Sequence, residues 1–388
     1  MKNAKKYVLN FGLFVLLFFL TYYLVFRGQN LREIVDNVKR INTLYVVLGV
    51  IAMYGFYALG GLNLKLTLKT LGKDISIFKA IKFTQIEGFF SAITPAASGG
   101  QPMEIYYMSK EGINVSHAAL ALLIHIFGYQ VTVVVLGLIS AIALHDIFTP
   151  ELTILFIVGI IFSFVTVVLY SIAVFSKKIT NKLVHLFIKI LKFLRFKNIE
   201  QKQDAIEEGL TVYHESSKFI KKHKKQFYRA ILIAGLQLMV NYAIVWFTYK
   251  AFGLSEHSFL YLLAIQAILH CTVTSIPLPG SVGISETVFL LLYTQIFESS
   301  ILTNALLLHR TINFYLFVII NLAVVLLNKL YLMITKKLWI NSEFLFIFFF
   351  MLFIIFINYL LIESICFFWY FIPCLSKYFS SISFNTII

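Results

Sequence analysis

Long apolar runs set the rhythm of this chain. Val8 to Phe26, Ile41 to Leu62, Val115 to Leu144, Leu152 to Phe175, Ile231 to Phe252 and Leu302 to Leu327 predict helices. Each approaches or exceeds the roughly 20 apolar residues that a bilayer-crossing helix needs. Two further stretches break the rhythm. The later one in the chain, Ser275-Ile-Pro-Leu-Pro-Gly-Ser-Val-Gly-Ile-Ser-Glu286, lies between Ser258–Val273 and Ile284–Ile296, neither comfortably long enough to cross alone. Its prolines and glycines leave backbone groups unpaired, which hydrocarbon cannot satisfy. Such a break survives at membrane depth only where protein buries it or water reaches it. A loop at the membrane surface is the plainer alternative.

The earlier one, Ile93-Thr-Pro-Ala-Ala-Ser-Gly-Gly-Gln-Pro-Met-Glu104, has the same ingredients. Pro95 to Glu104 and Pro277 to Glu286 are equally spaced, and Ala121-Leu-Leu-Ile-His125 echoes Ala305-Leu-Leu-Leu-His309 downstream. Two echoes in the same order suggest an internal duplication. Paired, interrupted segments in corresponding halves point to a transporter's binding site.

Charge orients the pattern, because short cytoplasmic loops are rich in Lys and Arg. Lys2, Lys5 and Lys6 put the N-terminus inside, before a retained first helix rather than a cleaved signal. The Arg27 to Arg40 loop carries four bases and two acids and conflicts with an outside placement. Lys65, Lys69, Lys73, Lys79 and Lys82 mark the next end as cytoplasmic, and Lys110 and Glu111 return the chain there after the first break. The second break begins and ends near Glu256 and Glu298, outside. The expected fold is therefore an all-α polytopic membrane protein. It is an inverted repeat with two Pro/Gly-broken re-entrant hairpins entering from opposite sides.

Residues 176–229 form the largest polar loop. Within it Lys178, Lys182, His185, Lys189 and Lys192 alternate with Leu183, Leu186, Phe187, Ile190, Leu191 and Leu194. That stripe fits a helix lying on anionic lipid, and a solvated linker is the alternative. Glu200 to Glu215 predicts an exposed helix. Residues 1–337 read as one transmembrane domain and 338–388 as a hydrophobic tail. The tail supplies either one more helix, Phe344 to Leu361, or a non-native extension.

Composition narrows the function classes. Of 388 residues, 60% are hydrophobic and 13% charged, with mean hydropathy +0.86, which excludes a soluble domain. The net charge of +15 gathers in a few inter-helix segments, so no nucleic-acid partner is implied. Cys271, Cys366 and Cys374 have no metal-type spacing. A phosphate-binding loop, a zinc-protease motif and a nucleophile elbow are all missing, so no cofactor is expected.

Ionisable residues inside a membrane are costly and are candidates for function. Arg310 suits a lipid phosphate held bidentately; an ion pair with Glu286 or Glu104 is the structural alternative. Glu286 and Glu104 suit a cationic headgroup or a coupling proton, and equally the first turn of a helix. Glu87 is a third carboxylate. His125 and His309 read more simply as packed polar residues. Gly99, Gly100, Gly280 and Gly283 permit tight turns and expose N–H groups, with Gln101 and Pro279 beside them.

These motifs carry a resemblance. Thr94-Pro-Ala-Ala-Ser-Gly-Gly-Gln-Pro102 with Tyr106 and Gly112, Pro277-Leu-Pro-Gly-Ser-Val-Gly-Ile-Ser-Glu286, and Ala305-Leu-Leu-Leu-His-Arg310 resemble the membrane domain of the lysylphosphatidylglycerol synthase, or multiple peptide resistance factor, family. The likeness runs from about Lys5 to Lys337. His309 departs from the aromatic residue expected before the arginine, which bears on substrate identity. The resemblance implies a flippase-like protein of the cell membrane, moving an anionic or aminoacylated phospholipid or a lipid-linked molecule. In the family a soluble domain transfers lysine from tRNA to phosphatidylglycerol, and the tail here is too short to hold it. The alternative is the membrane component of a phosphatidylglycerol lysyltransferase, working with a separate soluble transferase in lipid metabolism and peptide-antibiotic resistance. Whether the chain is an enzyme, and whether it forms homo-oligomers, the residues leave open.

Overall fold

A computed structural model describes residues 41–94, 97–193, 210–211, 213–215, 217–218, 222–274 and 279–334. The expected first helix, the Arg27 to Arg40 loop, most of Glu200 to Glu215 and the tail from 338 lie outside them. The described residues are helical and contain no strand.

Among the described residues, five spans are long and apolar enough to cross a bilayer. Helix α1 (Thr43–Thr70) is capped by Asn42, whose Oδ1 accepts the Leu44 N–H at 3.0 Å. It runs eight residues past the expected Leu62, because Lys65 and Lys69 extend a helix rather than open a loop. Long basic side chains tolerate a helix end by reaching toward water. Helix α2 (Ile77–Ile93) begins under a Ser76 cap and α3 (Gly100–Lys110) follows the first break. Helix α4 (Val115–Ala143) crosses, capped by Asn114, and α5 (Pro150–Phe175) returns with Thr149 as cap and proline in its first turn. Helix α6 (Lys177–Phe193) is the predicted basic stripe. Helix α7 (Lys224–Ala251) starts seven residues before the expected Ile231, since its first turn is basic but unbroken. Helices α8 (Phe259–Thr274) and α9 (Ile284–Tyr293) flank the second break. The last span is α10 (Ser299–Arg310), a π turn (Thr311–Tyr315) and α11 (Leu316–Ile334).

Contacts fix which ends share a face. The Asn42 N–H donates to Ala251 O at 2.9 Å, so the start of α1 meets the end of α7. At their other ends Asn63 Nδ2 donates to Ala230 O at 2.8 Å, and Arg229 reaches Leu66 O. The first hairpin belongs to this second face. Lys79 near the start of α2 pairs with Glu111 just past α3 at 2.9 Å, and Lys82 bonds the same carboxylate. The second hairpin belongs to the first face. The His257 N–H donates to Tyr249 Oη at 3.0 Å, and Phe297, past α9, stands edge-on to Tyr249 and Phe252. The hairpins therefore enter from opposite faces.

Apolar side chains such as Ile51, Ile142, Phe164, Leu232 and Leu327 stay exposed on the outer helix surfaces. A soluble protein does not leave so large an apolar perimeter, and in a bilayer it is the lipid contact surface. Helix α8 is instead mostly buried. Gly159 of α5 lets it approach so closely that a Cβ there would lie 1.9 Å from Cys271 O.

Candidate functional site

Each break is closed by its own local chemistry. In the first, Thr94 Oγ1 donates to Phe90 O at 2.6 Å and accepts the Gly99 N–H at 2.9 Å, turning the chain back after α2. Gly100 has no room for a side chain: a Cβ would sit 2.0 Å from Ser91 Oγ and 2.7 Å from Glu87 Oε1. Glu87 Oε1 accepts from Ser91 Oγ at 2.6 Å and from Gln101 Nε2 at 3.2 Å, tying α2 to α3 across the break.

The second break passes through Gly280, Ser281 and Gly283, all at positive φ. Glu286 gathers it. Its Oε2 accepts the Gly283 N–H at 2.7 Å and Ser285 Oγ at 3.0 Å, the first-turn role weighed for it from sequence. Its Oε1 pairs with Arg310 Nε at 2.7 Å. Arg310 also donates to Gly280 O at 3.2 Å and lies 4.4 Å from the centroid of the Phe314 ring. Arg310, Glu286, Gly280 and Gly283 thus form one tie between the last span and the second hairpin. His309 stands apart, stacked on Phe289 and accepting from Asn313 Nδ2 at 2.8 Å. Pro279 opens the turn before Gly280.

Glu104 differs from its counterpart. It lies in the second turn of α3 rather than the first, is 2% exposed, and its Oε1 has no hydrogen-bond partner.

The two hairpin tips meet. A Cβ on Gly280 would come within 3.3 Å of Ala92 O at the end of α2. Around this meeting point lies a cavity of about 480 Å³, walled by both tips and by α1, α4, α5, α7, α8 and α11. Of the sequence candidates, Glu87, Gln101, Glu104, His125 and Gly280 line it. Arg310, Glu286, His309, Gly99, Gly100 and Gly283 are not in its wall, whereas Phe314, whose ring the Arg310 guanidinium covers, is. Sequence reasoning missed Tyr57, Gln130, Gln237, His270, Asn313 and Asn321, which also line it. Their signal was there: single polar residues inside otherwise apolar spans.

The unpartnered buried polar atoms of the lining residues are all oxygens. Five oxygens of the lining residues are buried without a hydrogen-bond partner: Glu104 Oε1, Gln130 Oε1, Gln237 Oε1, Asn313 Oδ1 and Asn321 Oδ1. Asn313 Nδ2 lies 2.8 Å from His309 Nε2, and Asn321 Nδ2 donates to Tyr57 Oη at 2.7 Å. No Lys or Arg lines the cavity among the described residues. Nor do these residues include a group of three or more His, Cys, Asp or Glu placed to hold a metal ion.

Residues 7–321 match the model of the lysylphosphatidylglycerol synthase transmembrane region. The chain belongs to that family. The match covers both broken segments and the whole cavity, so the features described above are the family's region and not an appendage to it. A UPF0104 membrane protein from Archaeoglobus fulgidus is 25% identical over 285 residues, covering 72% of this chain and 84% of that protein. The family assignment agrees with the resemblance carried by the two Pro/Gly breaks.

Proposed function

We propose that this member of the lysylphosphatidylglycerol synthase transmembrane-region family moves a phospholipid across the cell membrane, with the headgroup passing through the central cavity. A charged headgroup does not cross hydrocarbon unaided, since leaving water unpaired costs several kcal/mol or more for each polar group. The cavity supplies partners at the point where the two hairpins meet. Its acyl chains stay in the surrounding lipid, against the apolar outer surface.

The observation that carries this reading is the set of unmatched oxygens on the residues of a cavity that no Lys or Arg lines among the described residues. Such a lining takes a ligand rich in hydrogen-bond donors, and an ammonium group has three. It favours an amine-bearing headgroup, as in an aminoacylated lipid, over a bare phosphate clamped by arginine. Arg310 serves instead to hold the second hairpin. In this reading the face bearing Lys69, Lys79, Lys82 and Lys110 is cytoplasmic, the N-terminus lies inside, and α6 rests on anionic lipid.

The test uses purified protein in phosphatidylglycerol–phosphatidylcholine liposomes containing one acyl-labelled fluorescent lipid, with bleaching of the outer leaflet by dithionite. Lysylphosphatidylglycerol and phosphatidylethanolamine are expected to move about tenfold faster than phosphatidylglycerol, the ratio that ~1.4 kcal/mol of preference gives. Equal rates for all three contradict the headgroup assignment. Lysine transfer to phosphatidylglycerol on adding a soluble transferase and charged tRNA, with no lipid movement, supports the synthase-component reading instead.

A further inference from the structure

The duplication leaves one carboxylate without its counterion. Glu104 and Glu286 stand at the same distance from Pro95 and Pro277, and each is followed by a helix with histidine ten residues after its first residue, Val115 or Ser299. In the second half the residue after that histidine is Arg310, which neutralises Glu286. In the first half it is Ile126. Glu104 is as buried as Glu286, at 2% against 3% exposure, yet Oε1 meets no donor.

The groups that share its cavity do not compensate it. Glu87 comes from α2, Tyr57 from α1, His125 and Tyr129 from α4, Tyr170 from α5 and His270 from α8. Glu87 adds a second carboxylate, already held by Ser91 and Gln101. Two anions in one buried space repel, and an unpaired one is costly. Some cation must therefore accompany Glu104. A metal ion would need several ligands, and the described residues offer no such cluster. A proton needs the carboxylate alone.

We propose that Glu104 carries a proton when the cavity is empty and gives it up to water when an ammonium-bearing headgroup enters, so that lipid movement one way is coupled to proton movement the other. The exchange balances: one positive charge leaves Glu104 as H⁺ and one arrives on the headgroup. This rests on the transport reading above, so its test has an arm that does not.

The first arm treats the full-length protein in liposomes with dicyclohexylcarbodiimide. A protonated carboxyl adds across one C=N bond, its oxygen bonding carbon and its proton passing to nitrogen, with no leaving group. Peptide mass spectrometry is expected to find the adduct on Glu104, falling as the pH is raised and absent in Glu104→Gln. The second arm follows acyl-labelled phosphatidylethanolamine under an imposed pH gradient of either orientation, with a trapped pH dye. The wild-type protein should move lipid faster under one orientation and shift the lumenal pH. Glu104→Gln should lose both responses while keeping its thermal unfolding midpoint, and whatever exchange remains should be the same under either orientation. No adduct on Glu104 at any pH, or an undiminished gradient response in folded Glu104→Gln, overturns the proposal. Adduct formation with normal pH dependence in a wild type that moves no lipid supports the proton site and overturns the transport reading.

Discussion

The Arg310–Glu286 pair is where single residues weigh most. Both are buried, so removing one leaves the other charge unmatched, at a cost of about 3–5 kcal/mol. Glu286→Gln should therefore lower the unfolding midpoint in detergent markedly. Replacing both partners together, Glu286→Leu with Arg310→Met, should recover much of the loss, and a double variant no better than the single would contradict a mutual tie. Arg310→Lys keeps the charge but not the fork that reaches Glu286 and Gly280 O together. It should fold and lose most lipid movement in the liposome assay. Gly100→Ala puts a methyl group against Ser91 and Glu87, so Glu87 must leave Gln101. A fall in lipid movement with near-normal stability is expected there.

Helices bring these residues together in ways that sequence showed unevenly. The two hairpins and their equal spacing were legible, because Pro and Gly in an apolar context have few uses. The partner of Arg310 was weighed from sequence, but its absence from the cavity lining was not legible. That position depends on the five-residue π turn from Thr311 to Tyr315, which carries Asn313 and Phe314 to the cavity, and no residue there announces it. The close contact of α5 with α8 was equally hidden, since Gly159 is an unremarkable glycine until Cys271 is seen against it. Gly159→Ala should push these helices apart and destabilise the protein by about 1–3 kcal/mol, measured as a lowered unfolding midpoint. Helix α6 makes a separate prediction. Lys178, Lys182, His185 and Lys189 are exposed while Val184 is buried. A peptide of residues 177–193 should bind vesicles with 30% phosphatidylglycerol, a composition chosen on the order of that in anionic membranes. Reversing Lys178, Lys182 and Lys189 to Glu should abolish this. Binding unchanged by the reversal, or equal on neutral vesicles, would remove the electrostatic role.

Across the whole molecule, the two halves are alike in layout and unlike in charge. Each contributes a hairpin, a carboxylate after the break and a histidine in the next helix. Only the second half adds the arginine, so one hairpin is tied down and the other brings to the cavity wall a carboxylate whose Oε1 has no partner. The sequence displayed the duplication but not this division of labour, because which oxygen is satisfied depends on packing between distant segments. The account stands on the hairpins entering from opposite faces and meeting at the cavity. The most direct measurement is single-cysteine labelling in a background lacking Cys271, Cys366 and Cys374, with a membrane-impermeant maleimide on sealed vesicles of each orientation. Asp74→Cys and Asn114→Cys flank the first hairpin, and Glu256→Cys and Glu298→Cys flank the second; all four positions are exposed. The prediction is that the first pair reacts only in inside-out vesicles and the second only in right-side-out vesicles. Labelling of all four positions from one side would contradict the account.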